Sequence, residues 1–320
     1  MNESSVVVPA AGFKDRSHGL IGYGILMILI GCLCALLVPL MFLGQAMAAR
    51  TTGASSTVRM ILPSAMMYTI LAVVFVWLGI GSIMARRWAR ALLLILSWAW
   101  LFVGAMTELV VVVLLPDLFT RMPRGGGPAA TFLVGVFALS VVTPFLVILP
   151  GASVLFYRSR HVRATCEARD PVPRWTDACP LPVLALSLFL ICGAVCMAFV
   201  PLCYHGVTPF FGSLLSGLPG TVLILAVIAV CVCSAWASYH LNPAGWWTIL
   251  IAFGLVLVSA LLTFSRVDIL DIYRSMGYSE QQIALIQKYR YLTNQNMLVF
   301  TAIASFPFLG YLLFVKRYFH

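Results

Sequence analysis

The sequence predicts an all-α, polytopic transmembrane helical bundle of about eight spans, arranged as a four-plus-four parallel tandem repeat. Three observations lead there: an apolar composition, eight runs of bilayer length, and matches between the two halves that keep their order. Of 320 residues, 62% are hydrophobic and 9% are charged. An ordinary soluble domain carries about 25% charged residues. So few charges do not cover a water-facing surface, and acyl chains remove the need to.

A helical span needs about 20 apolar residues, because each residue rises 1.5 Å through a core of roughly 30 Å. The qualifying runs are Leu20–Leu43, Pro63–Ala85, Ala91–Leu115, Ala130–Tyr157, Leu181–Tyr204, Leu218–Tyr239, Trp246–Phe264 and Met297–Val315. Each is far longer than the roughly 10 residues of a barrel strand, and helices satisfy their own backbone groups in lipid. Pro144 and Pro150 predict a break in the fourth run. Ala46-Met47-Ala48 has the form of a signal-cleavage site. The run before it exceeds the 7–15 residues of a signal core, so it reads as a retained first span.

Lys and Arg set the orientation. With the N-terminus inside, inner segments carry twelve of them and outer segments eight. The sharpest marker is the turn Arg86-Arg87-Trp88-Ala89-Arg90, whose arginines are candidate anchors for anionic headgroups. Both termini are therefore expected in the cytoplasm, with a bacterial inner membrane as the default setting. Trp88, Trp246, Trp247 and Tyr318 fall at the inner interface. The net charge of +10 belongs to this bias and not to nucleic acid, since no basic stretch is interleaved with exposed aromatics.

The repeat rests on paired motifs. Val38-Pro39-Leu40 in the first span matches Val200-Pro201-Leu202 in the fifth, with Gly31, Cys34 and Gly44 matching Gly193, Cys196 and Gly206. Leu62-Pro63 opens the second span and Leu218-Pro219 the sixth. Asp117-Leu118-Phe119 with Met122 follows the third, and Asp271-Ile272-Tyr273 with Met276 follows the seventh. Four spans per copy make the halves parallel. The resulting division is an inner tail (1–18), a first repeat (19–157), an inner linker (158–180), a second repeat (181–315) and an inner C-terminal tail (316–320).

Within the second repeat, the outer loop 265–296 reads as two short helices lying as a lid. Val267, Leu270 and Tyr273 or Arg274 mark the first, and Gly277 suits its C-terminal cap. Ser279 with Gln282 forms a capping box, and Ile283, Ile286 and Tyr289 make an apolar stripe at helical spacing. The Met276-Gly277-Tyr278-Ser279 turn resembles the loop between the first two helices of ubiquitin-associated domains. That likeness is one of capping physics, because a span stands where the third helix of such a domain would be. The matching loop of the first half is shorter and carries Arg124-Gly125-Gly126-Gly127-Pro128.

Glu108 is the only formal charge inside a run. An acidic group near the bilayer centre costs ~2.5–3.5 kcal/mol on insertion scales, so it faces a partner or a cavity. Its functional reading is a coupling or ion site; its bland reading is a helix end bonded to Thr107 and nearby hydroxyls. Asp117 and Asp271, near Arg121 and Arg274, frame a candidate outer vestibule, or are solvated loop charges.

Seven of the nine cysteines lie in apolar runs and pack as small hydrophobes. Cys192, Cys196 and Cys203 share a helix face, but no span supplies a His to complete a soft-metal site. The pairs Cys32/Cys34 and Cys231/Cys233 point apart on a helix. His161, Cys166 and Cys179 are one ligand short of a structural zinc site. No metal and no cofactor is expected.

No phosphate-binding loop, zinc-protease helix or nucleophile elbow occurs. The sequence thus leaves a non-catalytic membrane module or accessory subunit holding a protein partner, or a transporter of a small solute or ion using Glu108. A membrane enzyme is a distant third.

Overall fold

The computed structural model describes residues 14–52, 58–121, 140, 142–278, 280–289 and 293–319. Among them, seven helices are long and apolar enough to cross a membrane, and a shorter apolar one accompanies them. The chain is an integral, multi-pass membrane protein of about eight spans. Its helices are α1 (Ser17–Thr52), α2 (Val58–Ile83), α3 (Arg87–Arg121), α4 (Leu149–Arg158), α5 (Arg160–Arg169), α6 (Leu181–Tyr204), α7 (Gly217–Tyr239), α8 (Pro243–Arg266), α9 (Ile269–Ser275), α10 (Glu280–Tyr289) and α11 (Asn294–Val315). Contacts divide the chain into two units: Met1–Leu40 with Tyr68–Ala178, and Met41–Met67 with Cys179–His320.

In unit 1, α1 and α2 meet through small residues. Gly24 lies against the Gly79 carbonyl and Gly79 against that of Gly24, while Gly31 faces Ala72 one heptad away. Such contacts let backbones approach where lipid supplies no hydrophobic drive between helices. The turn into α3 is a Schellman cap. Ala85 takes φ +52°, its N–H bonds the Ser82 carbonyl at 2.9 Å, and the Arg86 N–H reaches Gly81 at 3.0 Å. Those bonds satisfy carbonyls that a helix end leaves without donors.

The expected break in the fourth run is a π turn, Pro144–Ile148, leading into α4. Pro150 has no N–H to give Leu146 four residues back. The Leu146 carbonyl lies against Gly104 of α3, where any added Cβ would overlap it. The expected linker is folded onto α3: it forms α5 and a 3₁₀ turn, Trp175–Asp177. Backbone N–H groups of Lys14 and Arg16 tie to His161 Nδ1 (3.3 Å) and Thr165 Oγ1 (3.2 Å) on α5.

In unit 2, α6, α7, α8 and α11 pack around Val183, Leu186, Leu190, Ala235, Ile249, Leu312 and Val315. The α7–α8 turn is a second Schellman cap, with Leu241 at φ +57°. There Leu241 N–H meets the Ser238 carbonyl at 2.8 Å and Asn242 N–H that of Ala237 at 3.0 Å. Asn242 then caps α8, and Pro243 opens it. Between α6 and α7 the chain makes a hairpin, β1 (Thr208–Phe210) and β2 (Ser213–Leu215). Its turn residues Phe211 and Gly212 have φ +42° and +92°, the signs of a type I′ turn. Their N–H groups dock on α8 at Ser259 (3.0 Å) and Thr263 (3.1 Å).

The expected helical pair of the outer loop is α9 and α10. Asp268 caps α9 through the Leu270 N–H. Gly277, at φ +90°, closes it, with Tyr278 N–H on the Tyr273 carbonyl at 3.1 Å. Ile269 and Ile272 are the buried residues of α9, and the expected Val267, Leu270 and Tyr273 pack against them partly buried. Ile283 is buried. Ser279 of the expected capping box lies outside the described residues, as do residues 124–128, Met122 and the side chains of Ile286 and Tyr289. Asn294 fastens the pair to the bundle: its amide donates to the Phe264 (3.1 Å) and Val267 (2.6 Å) carbonyls and accepts from Ile269 N–H (2.9 Å).

Candidate functional sites

Glu108 sits one helical turn beyond Gly104 on the face of α3 that meets the π turn. The close approach at Gly104 brings the end of the fourth run onto that face, and Thr143 Oγ1 donates to Glu108 Oε1 at 2.5 Å. Thr107 turns away and bonds the Val103 carbonyl (2.8 Å), so the hydroxyl that holds Glu108 comes from across the helix pair. Glu108 Oε2 is buried and has no hydrogen-bond partner among the described residues. A carboxylate with one oxygen engaged and one open can take a proton or a cation. It lies beside a π turn, a geometry frequent at functional positions. Thr143 is the residue that sequence reading misses, because only the close packing at Gly104 selects its hydroxyl.

Arg86, Arg87 and Arg90 lie where α2 turns into α3, and the folded segment after α4 brings carboxylates to them. Asp170, 2% exposed, accepts from Arg174 Nη2 at 2.9 Å and Nε at 3.3 Å. The Arg87 backbone N–H points at it at 3.4 Å, and the Arg86 guanidinium lies 3.8 Å away. The hydrogen bond from Arg174 is the main reason the Asp170 carboxyl is held below its usual range, with the Arg87 N–H adding to it. Arg87 also lies 3.6 Å from Glu167 and 3.5 Å from Asp177, and Arg163 bonds Glu167 at 2.7 Å. Arg90 donates to the Tyr157 carbonyl at 3.4 Å. Together Arg87, Arg90, Arg163, Cys166, Glu167 and Asp177 line a cavity of about 50 Å³, room for a few waters. Burial pushes the Cys166 thiol up to about 11, outweighing the nearby Arg90, so it is protonated and unreactive at neutral pH. Cys179 is likewise raised to about 11 by burial. The pairing signal was legible: Glu167, Asp170 and Asp177 are three of only ten acidic residues in the chain and share one short segment.

The two outer aspartates fare differently. Asp271 pairs with Arg274 at 2.8 Å, and Arg274 also reaches Glu280 at 3.2 Å, all three exposed. The side chain of Asp117 lies outside the described residues. Comparison adds no relative: no protein family, no curated protein and no solved structure matches this chain. What fold and sites define is the class, a polytopic helical membrane protein.

Proposed function

We propose that the chain is a non-catalytic membrane module, an accessory or assembly subunit, made of two four-helix repeats with both termini in the cytoplasm. The observation that carries this reading is how unit 1 uses its charges. Arg86, Arg87, Arg163 and Arg174 all pair with Asp170, Glu167 or Asp177, around a cavity too small for a solute. They brace the fold and line no passage. Two further parallels support the repeat. Each unit turns from its second to its third helix through a Schellman cap with a buried serine, Ser82 or Ser238. Each unit also ties a carbonyl at the start of its first helix to the end of its fourth. Ser82, bonded to the Tyr157 hydroxyl at 2.9 Å, donates to Leu20 (3.0 Å), and Tyr311 donates to Pro182 at 2.6 Å.

A second reading, a small-solute or ion transporter coupled through Glu108, is favoured by Glu108 Oε2, which has no partner among the described residues. Proteoliposomes separate the two. The module reading expects proton and cation fluxes equal to those of protein-free vesicles. Protein-dependent flux that falls at least tenfold in Glu108→Gln would replace it with the transporter reading. Equal flux in both proteins removes Glu108 from any mechanism.

A further inference from the structure

Unit 2 handles the cations at the corresponding end differently. Between residues 179 and 320 the acidic residues are Asp268, Asp271 and Glu280, all in the loop following α8 or on its helices. Lys316 and Arg317, exposed at the far end of α11, have no carboxylate partner among the described residues. They rest on aromatic rings instead. Lys316 Nζ lies 5.1 Å from the Trp246 ring centre and 5.6 Å from that of Trp247. The Arg317 guanidinium lies 4.0 Å over Phe314 and 4.9 Å from Tyr318, to whose hydroxyl it donates at 2.9 Å. The Trp246 indole is pinned by its N–H to the Leu312 carbonyl at 2.9 Å, so the platform under Lys316 is fixed. The first turn of α8 lies beside Lys316 as well, so the positive end of its dipole offsets the negative end of α11.

We propose that Trp246, Trp247, Lys316 and Arg317 form a binding site for the phosphate of an anionic phospholipid. Indoles settle at the headgroup level of a bilayer. Ring faces hold the two cations without neutralising them. Lys316 then offers a point charge, and Arg317, the next residue along the chain, a fork, to an approaching phosphate. Arg86, Arg87, Arg163 and Arg174 of unit 1 lack this freedom, because Asp170, Glu167 and Asp177 already engage them. The site holds whether or not the chain carries a solute, so a null flux result leaves it standing.

Native mass spectrometry of the full chain in detergent, titrated with phosphatidylglycerol or phosphatidylcholine, tests it. The wild type should retain phosphatidylglycerol at least fivefold over phosphatidylcholine. Lys316→Gln with Arg317→Gln should lose that preference, while Arg274→Gln at the opposite end keeps it. Undiminished preference in the double variant overturns the proposal. So does displacement of the lipid by inorganic phosphate at equal concentration, which would make the site one for the free anion. A second measurement does not depend on the double variant folding: brominated phosphatidylglycerol should quench wild-type tryptophan emission more than brominated phosphatidylcholine does. That difference should shrink in Trp247→Phe, and equal quenching by the two lipids in the wild type overturns the assignment.

Discussion

Unit 1 and unit 2 solve the same problem at helix ends and different problems with charge. Ala85 and Leu241 both enter the left-handed region to close a Schellman cap, although neither is the glycine that favours it. Both turns place a buried serine one residue inside the helix end. Helix-end carbonyls must find donors in either unit, so this geometry recurs without sequence identity. Charge depends on what the next loop supplies. In unit 1 it supplies Glu167, Asp170 and Asp177, and the basic turn becomes an internal brace. In unit 2 no carboxylate among the described residues reaches Lys316 or Arg317, and these cations settle on indole and phenyl faces. Helices can thus end as a closed joint in one unit and an open cationic surface in the other.

The largest effect should come from breaking the joint. Asp170→Ala leaves Arg86, Arg87 and Arg174 without their shared, nearly inaccessible acceptor. Its cost should be about 2–3 kcal/mol, the worth of hydrogen bonds lost from a charged acceptor, and no more, because Arg86 and Arg174 are each over a third exposed and regain water. Lys316→Ala strands no partner and should cost less than about 1 kcal/mol, the worth of an exposed cation on a ring. Thermal unfolding in one detergent measures both, and equal losses would erase the contrast. Acid sharpens it. The folded Asp170 has a pKa below its unfolded value, so its contribution is complete above the ordinary carboxylate range. It disappears as pH falls through the lowered value, in a window below about pH 4. Asp170→Asn should flatten the stability slope in that window.

A smaller effect separates two glycines. Gly104 touches the Leu146 carbonyl so closely that a methyl group has no place, whereas Gly193 has open space around it. Gly104→Ala should cost about 1–3 kcal/mol through forced separation of α3 from the π turn, loosening the Thr143–Glu108 bond. Gly193→Ala should gain up to about 1 kcal/mol, the difference in helix propensity. Similar shifts in the two would mean that Gly104 is not a contact point.

A second pair of glycines, Gly31 with Gly193, shows what the sequence disclosed and what it withheld. Gly31 and Gly193 match by motif, yet Gly31 faces Ala72 and Gly193 faces nothing. Runs of bilayer length are legible because lipid imposes a length and a polarity on each one separately. The break at Pro144 and Pro150 was legible from the missing N–H, and Gly277 from its place after a short helix. The partner of Glu108 was not, because Thr143 reaches it across 35 residues and only packing at Gly104 decides which hydroxyl comes near. The hairpin was hidden as well: its turn is Phe211-Gly212 and not the Asn-Gly or Asp-Gly that announces a type I′ turn. Its backbone donors are taken up by Ser259 and Thr263, some fifty residues away. Motif matching also missed that α1 continues through Gly44 to Thr52, while α6 stops at Tyr204 with His205 and Gly206 at φ +56° and +65°.

The smallest effect tests the two buried serines. Ser82 Oγ donates to the Leu20 carbonyl and shares a hydrogen bond with the Tyr157 hydroxyl, whose ring is wholly buried. Ser238 occupies the matching place in the second cap, and its hydroxyl has no partner among the described residues, because Tyr311 reaches Pro182 directly. Ser82→Ala removes one hydroxyl and leaves two buried polar groups short of a bond, at a cost of about 1–2 kcal/mol. Ser238→Ala removes a hydroxyl that gains nothing from burial and should be neutral or stabilising by up to about 1 kcal/mol. Opposite signs in unfolding measurements would show that the two caps share a backbone but not a polar network. Equal losses would mean that Ser238 has a partner after all, such as a bound water, and that the second unit is braced much as the first is.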